Sequence, residues 1–164
     1  MGVSGSGKST VAARLAQMLG WDLAEADTFH SAANVEKMRS GIALTDEDRW
    51  PWLDAIAAWI DSEYVRGRSC VVACSALKRR YRERLSGGKA DVRFVYLSGP
   101  YDVVAARLAG RSGHYMPLAL LQSQFDALEP PGPEENPIVV SIALPVEEIA
   151  SEVALELRRP ASPS

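Results

Sequence analysis

Apolar positions along the chain follow two rhythms, helical and extended, and the two alternate. Val11, Leu15, Met18 and Leu19 recur at helical spacing, and Gly20 suits the left-handed turn that stops a helix. A short segment around Leu23–Ala26 follows, then a polar loop and a helical stretch containing Val35 and Met38. Thr45 is placed to cap the next helix, with Pro51 in its first turn; Leu53, Ile56, Ala57, Ile60 and Tyr64 line one apolar face. Cys70–Cys74 reads as a buried strand and Lys78–Leu85 as a charged helix closed by Gly87 and Gly88. Val92–Leu97 is a strand, Asp102–Leu108 a helix, Gly110–Pro117 a flexible loop and Leu118–Leu128 a helix. After the break at Pro130–Pro133 come a strand at Ile138–Ile142 and a last helix near Val146–Leu157. This alternation predicts an α/β fold of three layers, a parallel sheet with helices on both faces.

Composition narrows the picture. The chain has 164 residues, 47% hydrophobic and 24% charged, which suits a single domain over residues 1–158 with a Pro/Ser-rich tail at 159–164. A net charge of −3 gives no electrostatic footprint for nucleic acid or an anionic membrane, so local positive groups must hold any anion. The run Arg79, Arg80, Arg82, Arg84 has Glu83 interleaved and no aromatic platform beyond Tyr81, so a solvated helix face is expected there. Two cysteines in one hydrophobic stretch and two histidines in all argue against a disulfide framework or a zinc site. With no signal peptide and no apolar run of membrane-spanning length, a cytoplasmic location is the expectation.

The chemistry begins at Gly2-Val3-Ser4-Gly5-Ser6-Gly7-Lys8-Ser9, which matches G-x-x-x-x-G-K-[ST] at every fixed position. Glycines let successive backbone N–H groups converge on phosphate oxygens, and the N-terminus of the following helix, with Thr10 in its first turn, adds partial positive charge. Lys8 is expected on the β- and γ-phosphates of ATP, and the Ser9 hydroxyl on Mg²⁺. Such a loop is normally entered from a strand, which is expected upstream of Met1, so the first central strand reads as truncated. Glu25 and Asp27 are two apart, share a face of an extended segment, and fall where open α/β sheets bind ligands. Either acid can orient Mg²⁺, and Asp27 can accept the proton of an attacking hydroxyl.

Three collinear blocks carry a resemblance. The first comprises Ala26-Asp27-Thr28-Phe29-His30, Asn34-Val35-Glu36-Lys37-Met38, Gly41, and Leu44 through Leu53 with Thr45-Asp46-Glu47-Asp48-Arg49-Trp50-Pro51-Trp52 at its centre. The second is Cys74-Ser75-Ala76-Leu77-Lys78-Arg79-Arg80-Tyr81-Arg82, and the third takes in Phe94–Leu97, Arg107, Arg111, His114 and Gln124–Pro130. From Gly2 to about Pro131 the chain resembles the gluconate kinases. The resemblance implies a nucleoside-monophosphate-kinase-like fold, ATP and Mg²⁺ as cofactors, D-gluconate as substrate and 6-phospho-D-gluconate as product, in an enzyme that is commonly a homodimer. Relatives often carry Asp where this chain has Glu25, and some carry proline and basic residues in place of Ser31-Ala32-Ala33.

Gluconate is a polyhydroxylated carboxylate, so its site needs a cation fork and hydrogen-bonding groups. Arg49 suits the carboxylate through two parallel N–H bonds, the alternative being an ion pair with Asp46 or Asp48. His30, beside Asp27, is placed for a sugar hydroxyl, and Lys78 for substrate or the transferring phosphoryl group. A lid over about 107–117 carries Arg107, Arg111 and His114, with Gly110 and Gly113 for flexibility; Arg111 is expected near the phosphates, Arg107 in support and His114 toward substrate. Trp50 or Trp52 is placed to border the pocket. Two other readings stay open, a shikimate-type small-molecule kinase and a non-catalytic or truncation-impaired nucleotide-binding module.

Overall fold

A computed structural model describes residues 1–110 and 118–159. Its elements are α1 (Lys8–Leu19), β1 (Asp22–Glu25), α2 (Ala32–Arg39), α3 (Asp46–Val65), β2 (Cys70–Ala73), α4 (Arg79–Ser86), β3 (Val95–Ser98), α5 (Tyr101–Ala109), α6 (Leu118–Ala127), β4 (Ile138–Ser141) and α7 (Val146–Arg158). All strand pairing is parallel, β1 with β2 and β3 with β4.

Alternation along the strands sorts side chains into two cores. Val71, Val95, Leu97, Ile138 and Val140 join residues of α1, α5, α6 and α7 in one cluster. Val72, Phe94 and Cys74 join Trp52, Leu53, Ile56, Tyr81 and Leu85 of α3 and α4 in the other. Neighbouring strand residues thus point to opposite faces, and each face is covered by helices, as the alternating pattern predicts. Cys74 is buried and Cys70 half-buried, both as free thiols. Burial pushes the titration of both upward, which suits packing residues.

The strands form two pairs rather than one sheet. Met1 and Gly2 lie between the pairs. The Met1 amino group donates to the Val95 carbonyl and the Leu97 N–H donates to the Met1 carbonyl at 3.0 Å, the bond pattern of a parallel rung. On the other side the Gly2 N–H donates to the Ser75 carbonyl at 3.1 Å. Behind Met1 opens a cavity of about 460 Å³ lined by Val11, Leu15, Ile56, Ile60, Val71 and Phe94, among others.

Two expectations need correction. Helix α3 starts at Asp46, so Pro51 stands inside it, in the second turn. The capping box fixes that start: the Thr45 hydroxyl accepts from the Asp48 N–H and the Asp48 carboxylate accepts from the Thr45 N–H. Arg82, read as part of a solvated face, is 1% exposed because it forks onto the buried side of Glu135. Among the described residues no helix is long and apolar enough to cross a membrane.

Candidate active site

The loop between Met1 and α1 is shaped for a phosphate chain. Gly5 has φ 81° and Gly7 φ 94°, left-handed values that disfavour any side chain. A Cβ on Gly5 would lie 2.7 Å from the Leu108 side chain, so α5 packs directly under the loop. Helix α1 begins with no acidic residue in its first turn and no side-chain cap, leaving its positive end to an external anion. The Ser6 hydroxyl is buried without a protein partner. Lys8 folds back so that its ammonium donates to the Val3 carbonyl at 2.9 Å, and Gln124 of α6 accepts from the Ser4 N–H at 2.7 Å.

At the carboxyl end of β1 the Ser9 hydroxyl donates to Glu25 at 3.0 Å, bringing the helix start and the strand end together. Asp27 lies two residues on, in a 3₁₀ turn over Ala26–Phe29, with an exposed side chain. Among the described residues no cluster of three or more His, Cys, Asp or Glu side chains is arranged to hold a metal. The donor set is instead one hydroxyl and nearby carboxylates, which fits Mg²⁺, an ion that keeps several waters and takes phosphate oxygens.

A second group of side chains gathers around two aromatic rings. His30 stacks on Trp52 with centroids 4.4 Å apart and planes 10° apart, and Trp52 is itself fixed by donating to the Ala26 carbonyl at 2.7 Å. The His30 Nδ1 is buried without a partner. Burial holds this imidazole below its ordinary value; Asp27 opposes that shift and Arg49 adds to it, so both charges lie close. Tyr81, from α4, is the second ring. The guanidinium of Arg49 lies 5.9 Å from its centroid, that of Arg80 5.8 Å and the ammonium of Lys78 5.6 Å. Asp46 is the carboxylate in this cationic group: Lys78 reaches it at 3.1 Å, and Arg80 and the Tyr81 hydroxyl also donate to it.

Of the expected residues, Asp27, His30, Arg49 and Lys78 gather around Trp52 and Tyr81, while Lys8, Ser9 and Glu25 gather at the phosphate loop. Arg49 takes neither expected ion pair, since Asp46 pairs with Lys78 and Arg80 and Asp48 with Lys37. Trp50 and Trp52 both border the site, Trp50 edge-on to Tyr81 at 5.8 Å. Arg107 is exposed and donates to the Ile142 carbonyl, one residue from the Leu108 that supports the loop. Arg111 and His114 lie outside the described residues. Sequence reasoning missed Tyr81 and Asp46 as the centre of the cation group. The signal was the spacing of Lys78 and Tyr81 across one helical turn.

Comparison with known proteins adds independent findings. A family model described as an AAA domain matches residues 1–131. A probable gluconokinase of Mus musculus is 45% identical, with 96% of this chain and 95% of that protein covered. A gluconokinase of Gluconobacter oxydans is 49% identical over 86% of this chain and 79% of its own length. The crystal structure of a gluconokinase from Sinorhizobium meliloti superposes with a TM-score of 0.87 at 44% identity, covering 96% of this chain and 88% of that one. Shikimate kinase from Aquifex aeolicus, with a TM-score of 0.62 at 19% identity over 96% of this chain and 92% of its own, shares the fold alone. Identity at this level over nearly the whole length settles the kinship that the two clusters suggest: the chain belongs to the gluconokinase family of P-loop kinases.

Proposed function

We propose that this chain transfers the γ-phosphoryl group of ATP to D-gluconate, giving 6-phospho-D-gluconate and ADP. The observation that carries the reading is the convergence of His30, Arg49 and Lys78 on Trp52 and Tyr81, close to Asp27. This group offers cations for a carboxylate and an unpartnered imidazole nitrogen for a hydroxyl. The phosphate loop Gly2–Ser9, with Thr10, holds the nucleotide, and Lys8 turns from the Val3 carbonyl to the phosphates. Mg²⁺, when bound between Ser9 and Glu25 or Asp27, offsets phosphate charge. Arg49 and Lys78 hold the acceptor and His30 orients a hydroxyl. Asp27 takes the proton of the hydroxyl oxygen as that oxygen bonds to phosphorus and ADP leaves. Arg111 supplies positive charge at the transferring group, Arg107 supports it, and His114 binds the acceptor. The single domain, a cytoplasmic location and a homodimeric state complete the proposal.

The test follows the phosphorus. Incubating the chain with ATP, Mg²⁺ and D-gluconate under ³¹P NMR should yield ADP and one new phosphomonoester. Asp27→Asn should slow that conversion by about a hundredfold or more, the usual weight of a positioned base, while gluconate still binds. Undiminished turnover in Asp27→Asn would remove Asp27 from the mechanism. ATP hydrolysed to free phosphate, with no phosphomonoester, would reject the transfer itself.

A further inference from the structure

Arg82 is the exception in its helix. Arg79, Arg80 and Arg84 are exposed, yet the Arg82 side chain is 1% exposed and every nitrogen of its guanidinium has a protein acceptor. Its Nε and Nη2 donate to the two oxygens of Glu135 at 2.6 and 2.9 Å. Its Nη1 donates to the carbonyls of Ala76 and Leu77 at 3.1 and 3.3 Å. Glu135 also accepts from the Gly132 N–H at 3.1 Å, and its carboxyl is held below the usual range chiefly by Arg82.

The two carbonyls belong to the loop that joins β2 to α4. Ala76 there has φ 44°, a left-handed conformation that a residue with a Cβ resists. Two successive carbonyls and both oxygens of a carboxylate converge on one point, and these four acceptors need a donor with several N–H groups in fixed directions. Guanidinium supplies that fork and an ammonium does not. Glu129 adds two further ties, its N–H to the Leu77 carbonyl at 2.8 Å and its carboxylate to the Arg79 N–H at 2.6 Å. What the loop carries explains why it is held so firmly. Ser75, at one end, accepts from Gly2 of the phosphate loop, and Lys78, at the other, points to Asp46 and Tyr81.

We propose that Arg82 and Glu135 form a buried clamp that positions Lys78, and with it the acceptor half of the site, relative to the phosphate loop. Both are positioning residues, and neither touches substrate. The clamp rests on the reading of Lys78 as a gluconate contact.

The test is a double-mutant cycle. Arg82→Lys keeps the charge and loses the fork; it should raise the gluconate KM by about tenfold or more while the ATP KM stays within about twofold, as expected for a small misplacement on the acceptor side. Glu135→Gln should act in the same direction and more weakly, and it carries the comparison if Arg82→Lys does not fold. In a Lys78→Ala background either substitution should leave the gluconate KM unchanged, because the group it positions is gone. A KM effect as large in that background as in wild type would reduce the clamp to general scaffolding. An active wild type indifferent to Lys78→Ala would sink the clamp alone, whereas a wild type inert toward gluconate would sink the functional reading as well.

Discussion

Tyr81 organises the acceptor site at the scale of single residues. Its ring is ringed by Arg49, Lys78 and Arg80, and its hydroxyl donates to Asp46. Burial raises its titration; Arg49 and Arg80 oppose that shift, which Glu129 and Glu47 reinforce, so the hydroxyl keeps its proton through neutral pH. Arg49 is the cation of the three that lacks a carboxylate partner among the described residues, and on the proposed reading it is the one that grips the substrate carboxylate. Arg49→Lys should therefore raise the gluconate KM by about tenfold, the worth of one charged hydrogen bond, with the ATP KM unmoved. Steady-state kinetics with each substrate varied checks this, and an unchanged gluconate KM would place the carboxylate elsewhere. Arg49 and Lys78 were singled out in the sequence because a sugar acid calls for cations; Arg80, read there as part of a solvated face, joins them at the Tyr81 ring. Tyr81 and the clamp were not legible in the sequence, because aromatic packing and burial of an arginine depend on α4 meeting α3 and the segment before β4. Neither neighbour is signalled by the charged pattern around Arg82.

Among the elements, boundaries followed local chemistry wherever a cap or glycine stood. Gly20 ends α1 at φ 68° and Gly87 ends α4 at φ 54°, as their positions predict. Thr45 begins α3 through a complete capping box, whose Asp48 also holds Lys37 of α2. Thr45→Ala should cost about 1 kcal/mol of stability, measured by denaturant unfolding, since it strips one acceptor from the helix start. It should also raise the gluconate KM, because Asp46 and Arg49 lie in the first turn of that helix. A stable variant with full affinity would show that α3 needs no cap to present them. Strand lengths were less legible. The segment Val92–Leu97 reads as one strand, yet pairing begins at Val95, because strand-forming composition does not say where a partner strand lies.

The whole molecule turns on how its two strand pairs are joined. Met1 and Gly2 provide the rungs between them, and the apolar cavity behind Met1 is flanked by the free edges of β2 and β3. The layered α/β order was readable from alternation alone; the division of the sheet was not, because no periodicity encodes which strands sit side by side. Burial lowers the titration of His30 below its ordinary 6.5, so the unfolded chain binds more protons there and stability rises with pH through that interval and is lost as pH falls through it. The central claim is the choice of acceptor, and a coupled ADP-release assay tests it most directly. With ATP and Mg²⁺, kcat/KM for D-gluconate should exceed that for shikimate and for nucleoside monophosphates by about a hundredfold or more, the discrimination a site with buried polar groups imposes. Equal or greater efficiency with shikimate would contradict the account.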